Sequence, residues 1–202
     1  MKIGLICAFE GEGKHVLDNM EIRSEEEALK NSFYTGRFME HEVVFVTGGI
    51  GKVSAALATQ VLIDRFEVDL IIFAGVAGGL NSELNIGDTV IATETFYHDV
   101  DEAGEGIEEG TSETIFRERF KTDKKMIDKL KKIFKTKEFP VPAELSQVRN
   151  GENLNVIFGR VLTGDQVITD SEKVKRFYEV MAGDCVEMEG AAVGHTCYLN
   201  EC

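Results

Sequence analysis

The sequence predicts an α/β fold, a mainly parallel sheet with helices on both faces. Short apolar runs alternate with stretches of helical spacing along most of the chain, the pattern of parallel strands joined by crossover helices. One run, DLIIFA at 69–74, is apolar throughout, as expected of a strand covered on both faces. Glycines or carboxylates follow almost every predicted strand.

Lys2–Phe9 is long enough for a first buried strand, and Glu42–Thr47, rich in Val and Phe, for a second. From Gly51 to Phe66, small and apolar residues fall at helical spacing, with Val53, Leu57 and Ile63 expected to face the sheet. Asp88–Phe96 alternates like a strand. Lys124–Lys137 sets Met126, Ile127, Leu130, Ile133 and Phe134 as one stripe among lysines, an amphipathic helix. Val156–Leu162 is a late strand, and Cys185–Met188 a short one leading into a helix start at Gly190–Ala192. Pro140 and Pro142, the only prolines, end the lysine-rich helix and mark a loop. Asp99–Glu113 holds seven acidic residues and no Lys or Arg, whereas Arg117–Lys137 holds ten basic ones. A solvated loop followed by a solvated helix face accounts for both, with a mobile lid as the alternative.

At 202 residues, with 43% hydrophobic and 29% charged residues, the chain suits a single domain with a core of its own and does not suit disorder. A formal net charge of −14 repels phosphate backbones and anionic lipid, which argues against nucleic-acid and membrane partners. No apolar run reaches the ~18 residues of a membrane span, and the N-terminus reads as a strand rather than a signal peptide. Cys7, Cys185, Cys197 and Cys202 are scattered, without a CxxC pair. Reduced thiols in a cytoplasmic protein are therefore expected.

Ligands of parallel α/β sheets bind beyond the carboxyl ends of the strands. The segments there are Glu10-Gly11-Glu12-Gly13, Gly48-Gly49-Ile50-Gly51-Lys52, Gly75-Val76-Ala77-Gly78-Gly79, Thr163-Gly164-Asp165 and Glu187-Met188-Glu189-Gly190. Gly48–Lys52 fails the phosphate-loop pattern, with Val46 in place of the first Gly and Val53 in place of the Ser/Thr. It reads as a tight turn whose N–H groups remain available to an anion or hydroxyl. Gly75–Gly79 lacks dinucleotide spacing. Glu187 and Glu189 straddle Met188, so strand alternation would point both to one side. They stand either as exposed strand-end charges or as anchors for ligand hydroxyls. The histidines, His15, His41, His98 and His195, have no metal-ligand spacing; His98-Asp99-Val100-Asp101 only superficially looks like a metal cluster. Without a GxSxG elbow, the remaining chemistry is carboxylate acid/base work on a neutral, hydroxyl-rich ligand.

The blocks MKIGLICAFEGE, TGGIGKVSAALATQ, FAGVAGGLNSELNIGDTVIA, YHDVD, LTGDQVI and VEMEGAAVGH, in this order, resemble the 5′-methylthioadenosine/S-adenosylhomocysteine nucleosidases of the purine nucleoside phosphorylase-like superfamily. The resemblance runs from Met1 to the C-terminus and is weakest over 102–155. It implies a three-layer α/β/α sandwich around a mixed, mainly parallel sheet, one phosphorylase-like domain over 1–202, and a cytoplasmic homodimer. The implied reaction is hydrolysis of the N-glycosidic bond of 5′-methylthioadenosine and S-adenosylhomocysteine, with 5′-deoxyadenosine a further candidate, needing no metal or organic cofactor.

Residue by residue, Glu12 matches the carboxylate that activates the attacking water. Glu189 matches the one that holds the ribose 2′- and 3′-hydroxyls, with the backbone of Met188 beside it. Val167 and Ile168 match the pair that receives adenine. Gly78 lies in the matching glycine turn near the ribose, and Phe9 and Ile50 match apolar positions around the 5′-substituent. The family's purine-protonating aspartate falls on a strand beyond Cys202. The chain is accordingly expected to be incomplete at its C-terminus, without the last strand and closing helix, and no residue here inherits that role. Val76 stands where some members have serine. The loop that covers the 5′-thioalkyl group carries Glu102, Glu105 and Ile107, which leaves room for a zwitterionic substituent such as homocysteine. Two alternatives stay open: a nucleoside phosphorylase, disfavoured because no arginine lies in 69–75, and a nucleoside-binding module without turnover.

Overall fold

The computed structural model describes residues 1–100, 118–149 and 153–202. Most of the acidic stretch, Arg117, and the loop positions Glu102, Glu105 and Ile107 lie outside the described residues. In chain order the elements are β1 (Lys2–Cys7), α1 (Glu10–Asn19), β2 (Glu21–Ala28), β3 (Asn31–Phe38), β4 (His41–Thr47), α2 (Lys52–Asp64), β5 (Leu70–Phe73), β6 (Gly78–Gly79), β7 (Thr89–Tyr97), β8 (Phe120–Lys121), α3 (Lys124–Phe134), α4 (Ser146–Arg149), β9 (Val156–Thr163), α5 (Ser171–Glu179), β10 (Cys185–Glu187) and α6 (Gly190–Leu199). The fold is α/β, with two five-stranded mixed sheets among the described residues. The chain forms two compact units, Met1–Val76 with Met188–Cys202, and Ala77–Glu187.

The first unit holds the sheet β2-β3-β4-β1-β5. β1 runs parallel to both β4 and β5, so three strands end on the same edge, where their connecting loops meet. Ile3, Cys7, Val43 and Phe45 form its buried cluster with Met20. The hairpin β2–β3 escapes a reading of apolar periodicity. β2 is EIRSEEEA, exposed along nearly its whole length, and its partner supplies the apolar side. The hairpin turn is built from Leu29 and Lys30, both at positive φ, not from the Asn-Gly or Asp-Gly pair that marks such turns in sequence.

Two expectations for this unit are corrected. The buried face of α2 is Ala55, Ala58, Thr59 and Leu62; Val53 is 73% exposed and Leu57 48%. The reason is the partner helix. α2 packs on α6, which also presents small residues, Ala191, Ala192, Val193 and Thr196, and close approach of two helix backbones selects small side chains. The ends of the two helices are tied by reciprocal Gln60–Asn200 amide hydrogen bonds of 3.1 and 2.8 Å. In β5, Ile72 is 42% exposed, so the continuous apolar run does not have cover on both faces.

The second unit holds the sheet β6-β10-β9-β7-β8. β7, β9 and β10 are mutually parallel neighbours, and Leu80, Phe96, Leu162 and Val186 pack as its core. α3 buries Ile127 and starts at Asp123, whose side chain accepts from Met126 N at 2.7 Å, an N-cap. Ahead of β7, Asp88 pairs with Arg149 of α4 at 3.0 Å, both side chains 1% exposed. Asp88 also accepts from Asn85 N and Asn155 N at 2.9 and 2.8 Å. A buried ion pair needs such further hydrogen bonds to offset its desolvation.

Candidate active site

In the first unit the site grows from the end of β1. The strand stops at Cys7, and Glu12 sits in the first turn of α1, where a carboxylate is favoured by the helix dipole. Its side chain turns back over the helix start. Oε2 accepts from Ala8 N at 2.8 Å and Phe9 N at 3.3 Å. Oε1 accepts from Val76 N, beyond β5, at 2.8 Å. Three backbone donors from two strand ends thus fix one half-buried carboxylate. Gly75 makes the approach possible: a Cβ there would lie 2.8 Å from Glu12 Oε1. Beneath it, burial first and the Glu12 charge second push the Cys7 thiol up to about 11, so this thiol is neutral near pH 7.

The loop after β4 joins the same edge. Gly48 N donates to Cys7 O at 2.8 Å and Gly49 N to Ala8 O at 3.1 Å. Gly51 N donates to Glu189 Oε1 at 2.6 Å. Three N–H groups of the glycine turn are therefore engaged within the protein, which corrects the expectation that they wait for an anion. Glu189 is only 6% exposed and is the N-cap residue of α6, its carbonyl accepting from Ala192 N and Val193 N at 2.8 and 3.1 Å. It is not a strand residue: β10 ends at Glu187, so period-two alternation does not extend to Glu189. Phe9 and Ile50, on these two loops, are exposed, and Met188 is half-buried. The loop of Phe9 and Glu12 and the loop of Ile50 are thus tied together through Gly48 and Gly49, and the second loop is tied to Glu189 through Gly51.

In the second unit the expected residues sit beyond β9 and in β6. Gly78 is not in a turn; with Gly79 it forms β6, paired to Val186 and Cys185 of β10. Val167 is 78% exposed. Ile168 is half-buried and packs against the cluster of Leu80, Phe96, Leu162 and Val186. The turn before them is held on both sides. Thr163 hydroxyl donates to the Glu187 carboxylate, Gly164 N to Glu187 O at 3.1 Å, and Asp165 N to Asp99 Oδ2 at 2.8 Å. Burial, with the Asp99 and Asp165 charges, pushes Tyr97 up to about 12. Among the described residues no group of three or more His, Cys, Asp or Glu side chains is disposed to hold a metal ion.

Sequence reasoning pointed to the N–H groups of the Gly48–Lys52 turn but missed the donors at Ala8, Phe9 and Val76, because a backbone N–H has no residue-type signature. The only signal was that each lies in or beside a glycine-containing turn.

A family model described as the phosphorylase superfamily matches residues 2–202. Two nucleosidases named for 5′-methylthioadenosine/S-adenosylhomocysteine are similar across nearly the whole chain. The one from Exiguobacterium sp. is 34% identical over 199 residues, 98% of this chain and 79% of the relative. The one from Colwellia psychrerythraea is 36% identical over 200 residues, 98% of this chain and 77% of the relative. The chain belongs to the 5′-methylthioadenosine/S-adenosylhomocysteine nucleosidase family. The crystal structure of a family member from Colwellia psychrerythraea in complex with adenine superimposes with a TM-score of 0.83 at 34% identity, covering 100% of this chain and 78% of that one. A nucleosidase from Neisseria meningitidis in complex with methylthio-immucillin-A gives 0.81 at 32% identity, covering 99% and 80%. No helix among the described residues is long and apolar enough to cross a membrane.

Proposed function

We propose that this protein hydrolyses the N-glycosidic bond of 5′-methylthioadenosine and S-adenosylhomocysteine, releasing adenine and the 5′-thio-substituted ribose. The observation that carries the reading is the Glu12 carboxylate, fixed by N–H groups of Ala8, Phe9 and Val76 in a chain of this family. In the reaction the bond from ribose C1′ to the purine N9 breaks, its electron pair leaving with the base, which gains one proton to become adenine, and water oxygen bonds to C1′. Glu12 takes the proton that the water gives up. Departure of the base leaves positive charge on the ribose, an oxocarbenium-like state akin to that of glycosidases, and a nearby carboxylate stabilises it. Glu189, held by Gly51 N–H, is read as the anchor for the 2′- and 3′-hydroxyls, with Met188 backbone beside it. Val167 and Ile168 are read as receiving adenine, Gly78 as lying near the ribose, and Phe9 and Ile50 as lining the 5′-substituent. The resemblance assigns no residue within 1–202 to protonation of the leaving purine.

The glycine turn supports hydrolysis over phosphorolysis. A phosphate site needs unspent N–H groups or arginines; here Gly48, Gly49 and Gly51 donate within the protein, and 69–75 carries no arginine.

A homodimer belongs to the same proposal. Val53 and Leu57 lie one turn apart on α2 and face solvent just after exposed Ile50, an apolar stripe suited to a second copy. One phosphorylase-like domain over 1–202 and a cytoplasmic location complete the reading. The first is supported by the 2–202 family match, the second by four cysteines that stay free.

The test is adenine release from 5′-methylthioadenosine with no phosphate present. Adenine with 5-methylthioribose is the expected outcome. Turnover only with phosphate, yielding a pentose 1-phosphate, would overturn the reading in favour of a phosphorylase.

A further inference from the structure

The YHDVD motif has no part in the chemistry above. Its described residues, Tyr97 to Val100, continue from β7 alongside the turn that follows β9. His98 N donates to Thr163 O at 2.9 Å, extending the β7–β9 pairing by one residue. Asp99 Oδ2 then accepts from Asp165 N at 2.8 Å. Between them Gly164 lets the imidazole lie flat against the turn: a Cβ at 164 would stand 2.2 Å from His98 Nε2. Phe177 of α5 backs the imidazole, ring centroids 4.6 Å apart. From β10, Glu187 O accepts from Gly164 N.

From this geometry we infer that His98 and Asp99 are positioning residues for base recognition: they fix the backbone of the 163–165 turn and so the place where Val167 and Ile168 are presented. The inference rests on the proposed reading that Val167 and Ile168 receive adenine. The residues after Asp165 have no regular structure until α5 begins at Ser171, and Val167 is exposed. Backbone recognition of a purine edge tolerates only a few tenths of an ångström. An irregular segment reaches that precision only if its anchor is rigid, and here the anchor is a carboxylate–amide hydrogen bond, stronger than a neutral one. Within the motif the Asp99 carboxylate is turned to Asp165 N and the His98 ring to Gly164.

The experiment is calorimetric binding of adenine and, separately, of 5-methylthioribose. Asp99→Ala should weaken adenine by about tenfold, the worth of one charge-assisted hydrogen bond, and leave 5-methylthioribose within about twofold. Asp99→Asn keeps a neutral acceptor for Asp165 N and should recover part of the adenine affinity that Asp99→Ala loses. If Asp99→Ala does not fold, Phe177→Leu takes its place; loosening His98 should weaken adenine alone. A wild-type protein that binds adenine, with variants that bind it equally well or lose both ligands in parallel, overturns the positioning role. A wild-type protein that binds no adenine overturns the base-site reading itself and the inference with it.

Discussion

Glu12 and Val76 stand 64 residues apart in sequence, and the backbone N–H of Val76 donates to Glu12 Oε1 at 2.8 Å. With Ala8 N and Phe9 N on the other oxygen, this bond aims a carboxylate by main-chain atoms alone. The donor at 76 is main-chain and its side chain is exposed, so this bond does not depend on valine.

Glu12→Gln should remove the base and keep the ligand. kcat should fall by about 10²–10⁴-fold, with adenine affinity changed little. The amide cannot accept on both sides, so one of the N–H donors meets an NH₂ group. That costs about 1–3 kcal/mol, or a drop of ~2–4 °C in Tm per kcal/mol for a chain of this size. Paired kinetics, calorimetry and thermal unfolding check this; near-wild-type kcat would refute the role of base.

Gly75→Ala tests the aim of that carboxylate without touching it. The new methyl would sit 2.8 Å from Glu12 Oε1, closer than such contacts allow, and the freer partner, the Glu12 side chain, must yield. A loss of about 10²-fold in kcat is expected, with adenine binding retained. Unaltered kcat would mean that the position of Glu12 does not matter.

Glu189→Ala and Glu189→Gln should separate. Both lose the charge set against the hydroxyls, but only alanine leaves Gly51 N–H without its acceptor. Unfolding by urea should show about 1–3 kcal/mol lost for alanine and less than half of that for glutamine. Affinity for 5-methylthioribose should fall in both. Equal stability of the two variants would dismiss the Gly51 contact as an organising bond.

Stability should decline on the alkaline side. Burial above all, with nearby carboxylates, raises Cys7 from 9.0 to about 11 and Cys185 from 9.0 to about 12. Tyr97 rises from 10.0 to about 12. These groups hold protons in the folded chain that the unfolded chain gives up first. Their contribution is whole below about pH 9 and is lost progressively between about pH 9 and 12. Urea midpoints at pH 8, 9 and 10 should fall in that order, and Cys185→Ala should flatten the decline. Equal midpoints at pH 8 and 10 would contradict it.

The strands with strong apolar runs were legible: β1, β4, β7 and β9 lie within a residue or two of their predicted places, because burial writes itself into composition. β2 was not, since EIRSEEEA is exposed on both faces and is made a strand only by pairing to β3. The face of α2 was misread for a related reason. Val53 and Leu57 are large and apolar yet stand in solvent, while Ala55 and Ala58 are buried together with Leu62, because close approach to α6 favours small side chains at the contact.

The sequence by itself determined the α/β class and the family, and singled out the carboxylates at 12 and 189 as site candidates, since all three are carried by residue types in a fixed order. It could not say what holds those carboxylates. Their partners are main-chain N–H groups of Ala8, Phe9, Val76 and Gly51, present at nearly every residue and therefore silent in sequence. Only the tertiary structure decides which amides point where: parallel β1, β4 and β5 end on one edge, and their loops converge there.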